Sequence, residues 1–375
     1  MAQIYKKDNG EWAYRVYYRD SFGKKHSINE SHFKKKSDAQ NAARTVELKK
    51  SQVGISRENE QITFVNYFKK WVKTYKYDRY DQVTQDKYKF IIKFLTGHFG
   101  QTKLKSITKF DYQKMLDKYG ETHVKTSVSR LNGAIRSSLK DALERQIIHI
   151  DFTRDAIITG DKKSKEIKYF EINEAYRIRQ YCLNHANIYS ITKYEIALAL
   201  ATGMRYGEVC GLTWNDIDFK NNTIDINKTY DYKNKTGFKP TKTPSSVRIL
   251  DVDPITMKMM KHLKVEQAKI FLKQQYKNKN NMVFINNLHQ IPGDAGVNGV
   301  LKGIQKKLNI KEDNYLTFHA LRHTHASILI ARDVSLEYVS ARLGHSSTLI
   351  TSQTYVHLLK DRKEQDAKLA VKIFS

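Results

Sequence analysis

Cysteine and proline are both scarce in this 375-residue chain, with two of the first and four of the second. Cys182 and Cys210 have no metal-ligand spacing, so in a cytosolic setting they read as reduced packing residues. No apolar run approaches the roughly 18–20 residues that cross a bilayer, and no signal-peptide pattern opens the chain. A membrane-spanning or secreted protein is therefore not expected. Glycine never clusters into a phosphate-cradling loop, so ATP is not indicated. Acidic residues are also under-represented, 39 against 66 basic ones, which leaves a net charge of +27. Such an excess repels itself unless an acidic partner screens it. Nucleic acid fits best, ahead of an anionic membrane surface, which would explain none of the motifs below.

The length allows two or three domains with cores of their own. In residues 1–55, Asp8-Asn9-Gly10 and Asp20-Ser21-Phe22-Gly23 break three short strands, and Trp12, Tyr14, Val16 and Tyr18 alternate as a half-buried strand requires. A helix is expected from Ser37, with Ser37-x-x-Gln40 as a capping box and an apolar face of Ala39, Ala42, Ala43, Val46 and Leu48. Arg15, Arg19, Lys24, Lys25, Lys34, Lys35 and Lys36 stud this module, and a small basic sheet can enter a DNA groove.

Residues 62–155 read as four helices: one through Phe64, Tyr67, Phe68 and Trp71, two over about 83–96 and 109–118, and one through Val124, Val128, Leu131, Ile135, Leu139 and Ala142. Lys125, Arg130, Arg136 and Lys140 flank the apolar face of the last, where they suit phosphate contacts. Asp161-Lys162-Lys163-Ser164-Lys165 reads as a basic linker into a third domain, 166–375.

That third domain carries two clusters. After the apolar helix TKYEIALALATG, Arg205 and Glu208 stand three apart, so the carboxylate can hold the guanidinium. A three-stranded sheet is expected in the following segment, with Lys242 in a turn from which its ammonium can reach a cleft. The second cluster is Thr317–His357. His319 and Arg322 share a helix face, a pairing suited to a phosphate; His345 follows Gly344, and Tyr355 follows ten residues later. A tyrosine hydroxyl is a poor nucleophile at its free pKa of about 10, unless neighbours take its proton or stabilise the phenolate.

Taken in order, ATGMRYGE, the Lys242 turn, HALRHTHAS, LGHSS and TYVH resemble the catalytic domain of the tyrosine recombinases, the phage-integrase family. The N-terminal sheet and the helical domain are similar to the arm-binding and core-binding domains of integrases from mobile elements. The fold so implied is mainly α with small β-sheets, an α+β chain of three domains. The resemblance implies Tyr355 as nucleophile, forming a 3′-phosphotyrosine, with Arg205 and Arg322 on the non-bridging oxygens. Lys242 would be general acid, His319 would assist proton transfer from Tyr355, His345 would bond the phosphate, and Glu208 would position Arg205. Lys233, Lys235 and Lys239 are alternatives for the lysine role, and His323, His325 and His357 would be supporting residues. No cofactor, neither ATP nor metal, is implied. The implied partners are double-stranded DNA at core and arm sites, a homotetramer exchanging its C-terminal tail, an excisionase and a host DNA-bending protein, all in a bacterial cytoplasm at the nucleoid. A type IB topoisomerase-like relaxing enzyme and a non-catalytic DNA-binding regulator are the alternatives.

Overall fold

The computed structural model describes residues 2–19, 25–53, 61–161, 168–310, 315–355 and 371. It divides into two compact units, Met1–Ser164 and Lys165–Ser375. Lys24, the linker residues 162–167, His357 and the C-terminal tail fall outside the described residues, as does the side chain of Arg19.

The first unit opens with the expected three strands, β1 (Gln3–Lys6), β2 (Trp12–Arg19) and β3 (Lys25–Phe33), antiparallel in the order β1-β2-β3. Gly10 turns the first hairpin at φ +82°, a left-handed conformation that favours glycine. Tyr14, Val16 and Tyr18 point inward under helix α1 (Lys36–Val53), whose buried Ala39 and Ala43 let it lie close against the sheet. The helix begins at Lys36, two residues earlier than a cap at Ser37 would place it. Ser37 therefore sits within the first turn and bonds Asp38 instead of acting as the cap. Leu48, assigned above to the apolar face, is exposed.

The same unit holds a second core built from four helices, α2 (Phe64–Tyr75), α3 (Gln82–Phe99), α4 (Lys109–Gly120) and α5 (Lys125–Glu144). Thr63, Asp81 and Thr108 cap three of them through side-chain oxygens, and Thr108 with Asp111 forms the full capping box. Phe64, Phe68, Leu95, Tyr112, Met115, Leu116 and Ile135 are wholly buried, each contributing about 1.5–3 kcal/mol by burial. Asp141 ties α5 to α2 by accepting from Tyr67 Oη (2.8 Å) and Tyr75 Oη (3.0 Å). The opposite face of α5 leaves Lys125, Arg130, Arg136 and Lys140 exposed.

In the second unit, α6 (Ile172–His185) and α7 (Thr192–Thr202) are followed by the short α8 (Tyr206–Cys210). Strands β4 (Ile217–Asp218), β5 (Thr223–Ile226), β6 (Lys228–Tyr230), β7 (Phe238–Pro240) and β8 (Arg248–Asp251) come next. Helices α9 (Pro254–Lys273), α10 (Asp294–Lys307), α11 (Phe318–Ala331), α12 (Leu336–Leu343) and α13 (Thr348–Thr354) complete it. Helix α7 is uninterruptedly apolar from Ile196 to Ala201 and almost wholly buried, Glu195 included, the central post against which α6, α9, α10 and α11 pack. The expected three-stranded sheet is present as β4-β5-β8, but its first strand comes from upstream of the segment anticipated. Strands β6 and β7 form a separate hairpin, closed by Asp231, which accepts from Lys239 Nζ (2.6 Å) and Thr236 Oγ1 (2.8 Å).

Candidate active site

The first catalytic candidate is set by how α7 ends. Gly203 caps it at φ +69°, and a Cβ there would lie 2.8 Å from the His325 ring and 2.9 Å from Leu343. Both backbone and space therefore demand glycine. Two residues on, Arg205 is the N-cap of α8, and its backbone N–H donates to Glu208 Oε2 (3.0 Å) while its guanidinium donates to Oε1 (2.7 Å). Glu208 also accepts from Arg248 Nη2 (3.0 Å), whose Nε is spent on the Arg342 carbonyl (2.6 Å). Burial alone would push the Glu208 carboxyl up, but Arg248 and then Arg205 outweigh it and hold the group below its usual value. One carboxylate thus orients two guanidiniums.

Arg322 lies on α11 and is only 4% exposed. Its Nη1 donates to the Gly203 carbonyl (2.8 Å) and its Nη2 to the Leu343 carbonyl (2.6 Å), so two helix ends hold it by their last oxygens. Burial, then Arg205, pushes its pKa down to about 9, which leaves it charged at neutral pH. Three guanidiniums against one carboxylate leave a surplus of two positive charges. Arg248 and Arg322 carry the buried part of this excess while Arg205 is partly open, and buried charge is costly unless an anion neutralises it.

That surplus borders a cleft of ≈ 500 Å³ lined by Arg205, Glu208, Lys242 and His319. Asn298 of α10 accepts from the Phe318 N–H (2.7 Å), which pins the first turn of α11 and with it His319. The protein around His319, together with Arg322 and Arg205, lowers its pKa, so the ring is neutral. Of the alternative lysines, Lys239 is engaged by Asp231, while Lys233 and Lys235 are exposed outside the cleft lining. Lys242 is the lysine that faces the cleft.

Tyr355 follows α13 and is 1% exposed, packed with Ala326, Ile330, Val339 and Leu343. Burial raises the pKa of its phenol, with Arg322 opposing. Its hydroxyl lies 3.0 Å from Nδ1 of His323, not beside His319. The reason is helical: His323 is one turn beyond His319 and faces α13, with the two imidazoles edge to face at 4.8 Å. His345 follows the left-handed Gly344 (φ +67°) and bonds Thr351 Oγ1 through Nδ1 (2.7 Å). Burial and then Arg322 push its pKa down to about 4.

Two further residues hold this frame, and neither is singled out by spacing. His325 Nδ1 lies 2.9 Å from the Leu200 carbonyl, and its Nε2 receives Arg342 Nε (3.0 Å), which clamps α12 and α11 to the end of α7. Arg248 stands forty residues from Glu208 in the chain, and its place on that carboxylate depends on β8 pairing with β5. The one trace of His323 in the sequence is its position beside Arg322 and a turn from His319. In the first unit, Arg15 donates to Asn29 Oδ1 (3.0 Å) and stacks near Tyr5, and Lys36 stands over the Trp12 ring (5.4 Å). Lys25, Lys34 and Lys35 are exposed, which leaves them open to a partner.

Comparison with known proteins agrees with this geometry. Residues 165–362 match the phage integrase family, more than half of the chain, and residues 3–50 match an arm DNA-binding domain. The integrase of Staphylococcus phage L54a is 27% identical over 301 residues, covering 72% of this chain and 84% of that one. A tyrosine recombinase XerC of Pediococcus pentosaceus is 26% identical over 280 residues, covering 73% and 85%. In fold, the chain is similar to the Tn1549 transposon integrase in complex with transposon right end DNA, with TM-score 0.66, 16% identity and coverage of 82% and 100%. It also resembles a lambda integrase tetramer bound to a Holliday junction, with TM-score 0.56, 18% identity and coverage of 92% and 96%. From the site and these matches together, the chain belongs to the phage integrase family, the tyrosine recombinases that act at specific DNA sites.

Proposed function

We propose that the chain integrates and excises a mobile element by cutting and rejoining DNA through a 3′-phosphotyrosine on Tyr355. The observation that carries this reading is the surplus positive charge of Arg205, Arg248 and Arg322 around one buried carboxylate, with Arg205 and Glu208 lining a cleft that Lys242 and His319 also line. A scissile phosphodiester fits there. Arg205 and Arg322 hold its non-bridging oxygens, whose charge builds in the transition state. Tyr355 attacks phosphorus, Lys242 protonates the departing 5′-oxygen, and His319 and neutral His345 stand by the phosphate as hydrogen-bond donors. Glu208 keeps Arg205 aimed. The covalent link conserves bond energy, so the scheme needs neither ATP nor metal, and a 5′-hydroxyl from a second strand reverses it.

Residues 1–55 would bind arm sites through Arg15, Arg19, Lys24, Lys25, Lys34, Lys35 and Lys36. Residues 62–155 would grip the core site through Lys125, Arg130 and Arg136, and residues 166–375 would carry out the chemistry. Four copies would assemble on DNA through their C-terminal tails, with an excisionase and a host bending protein setting direction, in the bacterial cytoplasm at the nucleoid. The support for DNA as partner is the net charge of +27 and the fold shared with integrases that are themselves held on DNA.

The test is covalent trapping on a suicide substrate made from the element's own ends. Wild type should leave a protease-sensitive protein–DNA adduct, and Tyr355→Phe should leave none, a loss of at least about 10³-fold given what nucleophilic catalysis supplies. Binding without any wild-type adduct would instead identify a DNA-binding regulator, and relaxation without strand exchange a topoisomerase-like enzyme.

A further inference from the structure

The Tyr355 hydroxyl is sealed from solvent, and a buried O–H needs an acceptor. Among the described residues its hydrogen-bond partner is Nδ1 of His323, at 3.0 Å. No such bond joins it to His319, which sits one turn earlier on α11 and lines the cleft instead. The groups facing His323 are His319 and Arg322 from its own helix, Tyr355 from the end of α13, and His345 from the loop after α12. Burial first, then His319 and Arg322, push the His323 pKa down to about 4, so the ring is neutral at physiological pH. A neutral ring with its hydrogen on Nε2 presents a free lone pair at Nδ1, the nitrogen that meets the phenol.

We propose that His323, rather than His319, accepts the Tyr355 proton during strand cleavage. The proposal rests on Tyr355 being the nucleophile. As the phenolic oxygen bonds to phosphorus, its O–H bond breaks and the proton passes to Nδ1 of His323. The phosphorus–O5′ bond breaks, and O5′ takes a proton from Lys242. In the joining step an incoming 5′-hydroxyl gives its proton to Lys242, and the imidazolium of His323 returns its own to the departing phenolic oxygen. A phosphate bound by Arg322 brings negative charge next to the ring, which raises its basicity at the moment it is needed. His319 is thereby left for the phosphate, on the cleft side of the same helix.

The experiment follows adduct formation by the full chain on the suicide substrate between pH 6 and 9. Asn can accept a hydrogen bond near the Nδ1 position but cannot hold a proton, so His323→Asn separates proton transfer from positioning. Its rate at neutral pH should fall about 10²–10⁴-fold, the usual range for a general base, and should then climb tenfold per pH unit as hydroxide takes over. Replacing the bridging 5′-oxygen with sulfur, which leaves without a proton, should restore Lys242→Ala but not His323→Asn. A His323→Asn rate within about threefold of wild type, or its rescue by sulfur, would overturn the proposal. DNA binding by gel shift confirms the fold of the variant, and His323→Gln repeats the measurement if the Asn variant does not bind. An adduct that survives Tyr355→Phe would overturn the nucleophile assignment, a failure distinct from that of His323.

Discussion

The two units use the same cationic residue types in opposite ways. On α5 of the first unit, Lys125, Arg130 and Arg136 are exposed. In the second unit, Arg248 and Arg322 are buried, their guanidiniums committed to Glu208 or to helix-end carbonyls. An exposed lysine keeps its hydration, so it contributes an additive, salt-screened attraction to phosphate. A buried arginine has already lost its water and its rotamer freedom, so it meets an anion at fixed geometry and high strength. Position on the duplex is thus suited to one unit and chemistry to the other.

The largest effect that sets the units apart should come from Glu208→Gln. It leaves Arg205 and Arg248 around a neutral amide, and breaking a buried ion pair costs about 3–5 kcal/mol. The thermal midpoint of the protein should drop by several degrees and adduct yield should collapse. An unchanged midpoint would mean that the carboxylate does not hold this cluster. Changing Lys125, Arg130 and Arg136 to alanine should do the reverse, lowering DNA affinity while stability stays put. Each substitution should reduce the slope of log affinity against log salt by about 0.9–1, and a triple variant with the wild-type slope would remove α5 from the interface.

The smallest effect is a pH dependence carried by His325 in the second unit. His325 is 7% exposed, and burial followed by Arg342 pushes its pKa down to about 3. Unfolded, it titrates near 6.5, so below that pH the unfolded chain binds a proton that the folded one refuses. Stability is therefore present above about pH 6.5 and is lost as pH falls toward 3, by roughly 2 kcal/mol at pH 5. Buried Glu195, whose pKa is raised, pulls the other way, so the informative quantity is the difference between wild type and His325→Asn across pH. A difference that stays constant from pH 7 to 5 would show that His325 does not carry the effect.

Much of this molecule is visible in its residues taken one segment at a time. The Asn-Gly turn, the alternation through Tyr14, Val16 and Tyr18, and the Thr108 capping box are local, and local chemistry settles them. Helix α7 is visible for the same reason, since an unbroken apolar stretch ending in glycine has few other uses. The order of the sheet strands was not visible, because β5 meets β8 only after the chain has made a hairpin between them. Ser37 misled because a capping motif two residues out of register looks the same as one in register.

The candidate site divides along the same line. Spacing alone put Arg205 beside Glu208 and His319 on the face of Arg322, since one helical turn brings each pair together. No spacing rule separates Lys242 from Lys239, whereas in the structure Asp231 engages the second and the first lines the cleft. Nor could any rule give Tyr355 to His323, because that contact joins α11 to the residue after α13 and depends on how two helices pack. Residue order carries interactions that close within a turn or two. Contacts between distant segments exist only once burial of α7 and its neighbours has decided which side chains are forced together.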